Sequence, residues 1–531
     1  MLSVEKLAGL IAGLQGLAPD HADIETNIAI LTEAEKLART FLAKNGKQAD
    51  KEGCRLQEGR VRLPAGQHQS WQALQQGGWT SLADPVIFGG QGLSLPVAMA
   101  AQMLFDAEDV ALGMLALNQR CAVRLLHLAA SPALQAKWIP RLVSGEWAAT
   151  ICISEPDAGS DVGRIQTKAQ RDEAGLWRLT GQKCWISYGD HDLAPHILHL
   201  VLARTPGQAS GTRGLSLFLL PDADDEGKRN HIDILRIEEK MGLHASPTCV
   251  MAFNEAWALP LSAEGQGLRA MFGMITGMRL GVGGQCGAQA AKACEIGWAY
   301  AATRLQGGGA AAPPVPIEQH AEVRRLLLDA RLNATNAILL TLQAAAWMQA
   351  GDEGDEQAAA RAAVLLPVVK TLASEAAFKT SSQIMQVMGG AGYTREWPVE
   401  RILRDSRVAS IFEGTSAIQA LDLLHRQLLG PGAEDAKALL AILAPCEMVM
   451  APLRAGVAQL TSASSLEREY AALPMLRLFG LACCDGLLQR HKNIVGEALL
   501  DWHKANLVAR VEALVAQAAW VDTGRLHAAL R

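Results

Sequence analysis

Near Ala148 the sequence changes texture. From there to about Asn254, short β-prone or apolar runs follow one another at 151–154, 177–180, 184–187, 196–203, 215–220 and 248–253. Gly, Pro, Asp and Asn punctuate them, as they do between strands. No long helical pattern alternates with these runs. A Rossmann-type parallel sheet needs such crossover helices. The stretch therefore reads as a compact antiparallel barrel or sandwich.

Both flanks read as helical. Ile24, Ile28, Leu31, Ala34, Ala38 and Phe41 recur at gaps of three and four, one apolar stripe of a helix. Further helices are expected over 94–105 and 109–130, behind the glycine turn Phe88-Gly89-Gly90-Gln91-Gly92. After Glu264 the pattern predicts helices over 268–305, 318–350, 357–388 and 416–429. A low-complexity connector, Gly307-Gly308-Gly309 followed by Ala and Pro313, Pro314 and Pro316, separates the first two. Ser416-Ala417-Ile418-Gln419 reads as a capping box, and Gly430-Pro431 as the helix stop. From about Gly432 the chain is Leu/Ala-rich and helical. The fold class is thus α+β: an N-terminal α-helical domain (1–148), a middle antiparallel β-barrel (149–262), a C-terminal α-helical bundle (263–430) and an extra C-terminal helical segment (431–531).

With 50% hydrophobic and 19% charged residues, the chain has ample core material. A net charge of −5 without basic patches argues against nucleic-acid binding. The ten cysteines form no CxxC pair, so neither a disulfide framework nor zinc spacing is visible, and no metal is expected. The uncharged stretch 332–351 contains Asn333, Asn336, Gln343 and Gln349, which suits a buried helix better than a membrane span. Glu5 and the lack of a basic cluster argue against a signal peptide. The expectation is a cytoplasmic enzyme.

Four segments carry candidate chemistry. The first, Ile151-Cys152-Ile153-Ser154-Glu155-Pro156-Asp157-Ala158-Gly159-Ser160-Asp161, is a loop able to offer N–H groups and hydroxyls to a polar ligand, or an ordinary strand-to-turn junction. In Gln182-Lys183-Cys184-Trp185-Ile186-Ser187, strand alternation puts an aromatic ring and a hydroxyl on one face. They suit a flat ring system, or Trp185 is a barrel-core residue. Gln386-Val387-Met388-Gly389-Gly390-Ala391-Gly392-Tyr393 follows a helix, so it is not the dinucleotide GxGxxG. Its glycines admit close approach to the backbone, or cap a helix. In Ile411-Phe412-Glu413-Gly414-Thr415-Ser416 a carboxylate sits among apolar residues before a helix. Desolvation there makes a useful base; the alternative is an acid stabilised by the helix dipole.

Taken in order, SEPDAGSD (154–161), QKCWIS (182–187), EKMGLHASPTC (239–249), MGGAGY (388–393) and IFEGTSAIQ (411–419) resemble the acyl-CoA dehydrogenase family over about 33–429. KEGCRL, the GGWT turn, HDLAPHILHLVLAR, GLRAMF and AIQALDLL resemble its branch of 3-methylmercaptopropionyl-CoA dehydrogenases. The resemblance implies α, β-barrel and α domains, FAD as cofactor, and oxidation of an acyl-CoA thioester to the trans-2-enoyl-CoA. Glu413 matches the family base. Ile153, Ser154 and Ser160 match the loop lining flavin and pantetheine; Trp185 and Ser187 match residues at the reactive flavin edge. Arg304 resembles the arginine on the FAD pyrophosphate, and Gln386, Gly389 and Gly390 the loop receiving the adenosine. Thr415 matches an FAD contact. Ser160, Met278, Arg279 and Gly414 are the implied substrate-side residues. No Asp or Glu occurs from Gly265 to Cys294, where some members carry the base, which favours Glu413. Departures are Phe412 for the common Tyr, Asp157 for Gly, and Gly307 for Phe in the Arg-x-Gln-Phe-Gly pattern. The implied partners are an electron-transferring flavoprotein and a second copy of the chain as a homodimer, or a tetramer. Alternatives are an acyl-CoA oxidase and a flavoprotein relative without dehydrogenase activity. The latter tends to carry a basic C-terminal surface, whereas this tail mixes Glu434, Asp435, Glu467, Glu469 and Asp485 with its bases.

Overall fold

The computed structural model describes residues 3–18, 23–307, 312–519 and 528. Its contacts divide it into two compact units: Ile28–Gly281, and Met1–Asn27 together with Val282–Arg531. Gly308, Gly309 and the first alanines of the expected low-complexity connector lie outside the described residues. Its flanks, Leu305–Gln306 and Val315–Pro316, pair as a two-residue antiparallel ladder.

The Ile28–Gly281 unit begins helical. The helix Ile24–Leu37 runs into a π turn, Ala38–Leu42, and continues as Ala43–Glu52. The stripe read from sequence holds for Leu31, Ala34 and Ala38, which are buried, and then slips: Leu42 is buried and Phe41 exposed. The π turn holds an extra residue per turn, which rotates the face by one position. Two short strands, β1 (Arg55–Gln57) and β2 (Arg60–Arg62), form a hairpin. The long helix Leu95–Ala129 is broken at Asp109 (φ −147°, ψ 80°), which separates the two expected helices. The Asp109 carboxylate accepts from Leu112 N (3.2 Å), restarting the helix as an N-cap, and from Gln67 Nε2 (2.8 Å). Gly46 faces it so closely that a Cβ would lie 2.8 Å from Asp109, so only glycine fits.

The barrel follows: β3 (Trp147–Cys152), β4 (Lys168–Arg171), β5 (Trp177–Ser187), β6 (His196–Arg204), β7 (Leu215–Pro221), β8 (Ile232–Ile237) and β9 (Thr248–Pro260). Pairings β6–β7, β7–β9, β9–β5, β5–β4 and β4–β6 close a ring. β8 pairs with the other stretch of the β9 edge, and β3 shares the β6 edge with β4. Most pairings are antiparallel, as expected; β3 and β4 run parallel to β6. β6 and β7 are buried almost throughout, which is why they read from sequence as continuous apolar runs.

The second unit is a helical bundle. Its helices Gly267–Thr303 (from Val282 on), Ala321–Asp352 and Glu356–Met388 meet where a Cβ on Gly283 would lie 2.3 Å from Val369 and 2.9 Å from Thr341. The uncharged stretch around Leu339 is buried in it. The C-terminal helices Ala433–Leu443, Glu447–Thr461, Ser465–Arg490 and Glu497–Ala518 belong to the same unit. One of them, Ser465–Arg490, is long and apolar enough to cross a membrane, but 83% of its apolar window is buried inside the protein. It backs directly onto Glu356–Met388: a Cβ on Gly480 would lie 2.4 Å from Leu372, and Arg477 grips Glu375 with two bonds of 2.9 and 3.1 Å. The tail, which carries no recognisable chemistry in sequence, is thus a buttress for that helix.

Candidate active site

On the barrel unit, the first segment is organised from beneath by a buried ion pair. Lys183 Nζ donates to Glu155 Oε1 (2.8 Å) and to Ile153 O (2.8 Å). The Glu155 carboxylate also accepts from Gln166 N, Thr167 N and Thr167 Oγ1. Both side chains are almost fully buried. Burial alone works against the Glu155 charge. The Lys183 ammonium and these hydrogen bonds outweigh it, so the carboxyl is held below its ordinary value. Cys184 N closes the register by donating to Ser154 O (3.0 Å). Ile153 and Ser154 are thereby locked to the strand that carries Trp185 and Ser187, while Ser160 lies exposed at the loop's far end.

Trp185 is 56% exposed and sits at φ +58° within the irregularity between Lys183 and Ile186. It is not a barrel-core residue. The bulge also interrupts the strict alternation from which a shared face with Ser187 was inferred. A bulky residue held left-handed costs about 1–2 kcal/mol and marks a site where geometry outweighs stability. The strand end is anchored where Ser187 O accepts from Thr150 Oγ1 (2.7 Å) and Asn118 Nδ2 (3.3 Å). Cys152, Cys184 and Cys249 nearby are free thiols that burial pushes up to about 12, 11 and 12, so none is a nucleophile. In the same unit Met278 is fully buried and Arg279 half-buried on the Gly267–Thr303 helix.

In the bundle unit, Glu413 and Gly414 occupy two consecutive left-handed positions, φ +54° and +84°. The helix that follows, Ser416–Asp422, is capped by Thr415, whose Oγ1 accepts from Ile418 N (3.4 Å). This corrects the capping box read at Ser416. Gln419 instead reaches back, its Nε2 donating to Glu413 O (3.1 Å) and Gly414 O (3.4 Å). Lys370, from the middle of Glu356–Met388, donates to Gly414 O at 2.6 Å. The turn is therefore held by its carbonyls from two sides, leaving the half-buried Glu413 at its apex. Neither Lys370 nor Gln419 was assigned a role from sequence. The available signal was one lysine inside the apolar run Leu365-Leu366-Pro367-Val368-Val369-Lys370-Thr371-Leu372.

Gln386, Gly389 and Gly390 lie exposed at the end of the same helix, where Gly389 (φ +59°) is the C-cap. Nothing lies within 4 Å of a Cβ built on Gly389 or Gly390, so the backbone is open to a ligand. Arg304 is exposed at the end of the Gly267–Thr303 helix, where Ile317 N donates to its carbonyl (2.8 Å). Tyr300, one turn earlier, meets Trp397 edge to face.

Three domain profiles of one family cover the chain: acyl-CoA dehydrogenase N-terminal domain (residues 25–146), middle domain (150–256) and C-terminal domain (265–429). The 3-methylmercaptopropionyl-CoA dehydrogenase of Ruegeria pomeroyi is 36% identical over 431 residues, 79% of this chain and 73% of that protein. A broad-specificity linear acyl-CoA dehydrogenase of Mycobacterium tuberculosis is 32% identical over 432 residues, 77% and 70% of the two chains. Among solved structures, Caenorhabditis elegans ACDH-11 in complex with C11-CoA superposes with a TM-score of 0.80 at 20% identity, covering 96% of this chain and 89% of that one. That coverage shows the C-terminal helical segment to be part of a known variant of the fold. This chain belongs to the acyl-CoA dehydrogenase family. It is an oxidoreductase that carries out FAD-dependent dehydrogenation of an acyl-CoA thioester. Each unit by itself carries residues that fit that cofactor: in the barrel unit an exposed indole offers a stacking face, and in the bundle unit the glycine turn at Gly389–Gly390 offers open backbone.

Proposed function

We propose that Glu413 is the base that removes the α-proton of the acyl-CoA thioester, giving the trans-2-enoyl-CoA. The observation that carries this reading is the clamped Glu413–Gly414 turn, strained at a non-glycine position and fixed by Lys370 and Gln419. The proton goes to the Glu413 carboxylate as the α-carbon's electrons form the new double bond to the β-carbon. When bound, FAD accepts the hydride that leaves the β-carbon. The Glu413 N–H donates to the thioester carbonyl, where charge develops as the α-proton departs; such a donor lowers the barrier most in a dry site. The absence of Asp and Glu from Gly265 to Cys294 leaves no base on that helix segment.

The remaining assignments extend this reading. Ile153, Ser154 and Ser160 line the flavin and pantetheine, with Trp185 and Ser187 at the reactive edge. Arg304 meets the pyrophosphate with a planar fork suited to it, and Gln386, Gly389 and Gly390 receive the adenosine. Thr415 completes the FAD contacts, and Met278, Arg279 and Gly414 stand on the substrate side. The electrons pass to an electron-transferring flavoprotein, and the enzyme works as a cytoplasmic homodimer.

Anaerobic mixing with straight-chain, branched, thioether and aromatic acyl-CoA thioesters tests the activity. Flavin bleaching by one class names the substrate. A yellow protein that none of them bleaches speaks against a dehydrogenase acting on these classes. Reoxidation of the bleached enzyme by air faster than by an electron-transferring flavoprotein would replace that acceptor with oxygen.

Trp185 separates binding from folding. Glycine is at ease at φ +58°, so Trp185→Gly relieves strain at an exposed position, and the melting temperature should hold or rise slightly. Flavin retained through desalting should fall severalfold as the stacking face is lost. Retention equal to wild type would remove Trp185 from the flavin site.

A further inference from the structure

Lys370 lies on a helix face otherwise built for packing. Leu366, Val368 and Val369 beside it are buried, and Lys370 itself is 0% exposed. Volume there is filled more cheaply by a methionine, since burying an ammonium carries a large desolvation cost. Its Nζ donates at 2.6 Å to the carbonyl of Gly414, the residue after the base. A charge-assisted bond of that length is stronger and more directional than a neutral one. The two left-handed residues that it restrains would otherwise relax toward ordinary backbone, carrying the Glu413 carboxylate and N–H with them. Gln419 adds the second restraint, and Arg477 and Gly480 brace the helix from behind.

We infer that Lys370 is the positioning residue of the base: its bond to the Gly414 carbonyl fixes the turn from which Glu413 acts. The inference rests on the assignment of Glu413. A displacement near 1 Å at a reacting group can cost about 10²-fold in rate, so the effect belongs to proton removal and not to binding.

The test uses the flavin-loaded enzyme and a 3-thiaacyl-CoA, in which sulfur replaces the β-carbon. Its α-proton can leave, but no hydride can follow. In D2O the α-hydrogens exchange at the rate of base action, read by mass spectrometry, while titration gives the Kd. Exchange is expected to fall about tenfold in Lys370→Gln, which keeps a shorter neutral donor, and about 10²-fold in Lys370→Met. The Kd stays within about threefold of wild type in both. That order at constant Kd is the signature of positioning. Wild-type exchange in either variant overturns the inference, and so does a loss of exchange that only tracks a loss of flavin or of Kd. Should Lys370→Met fail to fold, Lys370→Gln decides by the same two numbers. Glu413→Gln is measured alongside: wild-type exchange there would overturn the base assignment itself, a result distinct from a failure confined to Lys370.

Discussion

Glu413→Gln should retain FAD and bind acyl-CoA with little change, yet bleach its flavin at least about 10³-fold more slowly under anaerobic single-turnover conditions. The substitution is nearly isosteric. Lys370 and Gln419 hold the turn through the carbonyls of Glu413 and Gly414, which the substitution keeps. The Glu413 backbone N–H, proposed to meet the thioester carbonyl, is also kept. What disappears is the carboxylate at the apex of the turn, and a missing acid–base group costs rate, not ground-state binding. Glu400, another carboxylate nearby in sequence, is a poor substitute, because Arg404 engages it through two bonds of 2.7 and 3.0 Å. Glu413→Asp shortens the arm by one methylene and should fall between the two. Bleaching of Glu413→Gln within about tenfold of wild type would move the base elsewhere.

The order of helices, barrel and helices was legible because hydrophobic period is a local property. The break at Asp109 was legible for the same reason: the apolar pattern itself stops and restarts there. Closure of the barrel was not. It depends on β4 meeting β6 at Lys168 and Arg204, a long-range register that no short window records. The two barrel strands missed are Lys168–Arg171, which is polar and largely exposed, and Ile232–Ile237, whose apolar residues are interrupted by Asp233 and Arg236 and none of which is buried, so neither shows the continuous buried run by which β6 and β7 announce themselves. The π turn at Ala38–Leu42 shifted a stripe by one residue, a change invisible to a fixed period. Of the proposed site, the motifs carrying Glu413, Trp185 and the Gly389–Gly390 turn were visible in the sequence, and the roles proposed for them rest on family resemblance. The supports were not, because each reads as something else. Gln419 completes a capping pattern with Ser416 on paper, and in the fold it holds the base turn while Thr415 caps. Lys370 and Lys183 read as stray charges in apolar or strand sequence, and only burial reveals that each is paid out on a carbonyl.

Lys183→Met is expected to destabilise the barrel unit strongly. It leaves the Glu155 carboxylate buried without its ammonium, and it frees Ile153 O. Breaking a buried pair from one side costs roughly 3–5 kcal/mol, a drop on the order of 10 °C in melting temperature for a unit of this size. The three donors from Gln166 and Thr167 remain and keep the loss from being larger. Function should fall with it, because Ile153 and Ser154 are tied to the Trp185 strand through this pair; flavin retained through desalting should drop in the same variant. The pH dependence gives a second check. In the wild type Glu155 is held below its ordinary value of 4.5, so its stabilising contribution is complete above that pH and is lost as pH falls through the folded value. Without Lys183 the folded value moves back up, and less remains to be lost in acid. The gap in melting temperature between wild type and variant should therefore be widest near neutral pH and narrow below about pH 5. A variant that melts within about 2 °C of wild type at pH 7.5 and keeps its flavin would show that the loop is held by its backbone bonds alone, with the ion pair contributing nothing measurable.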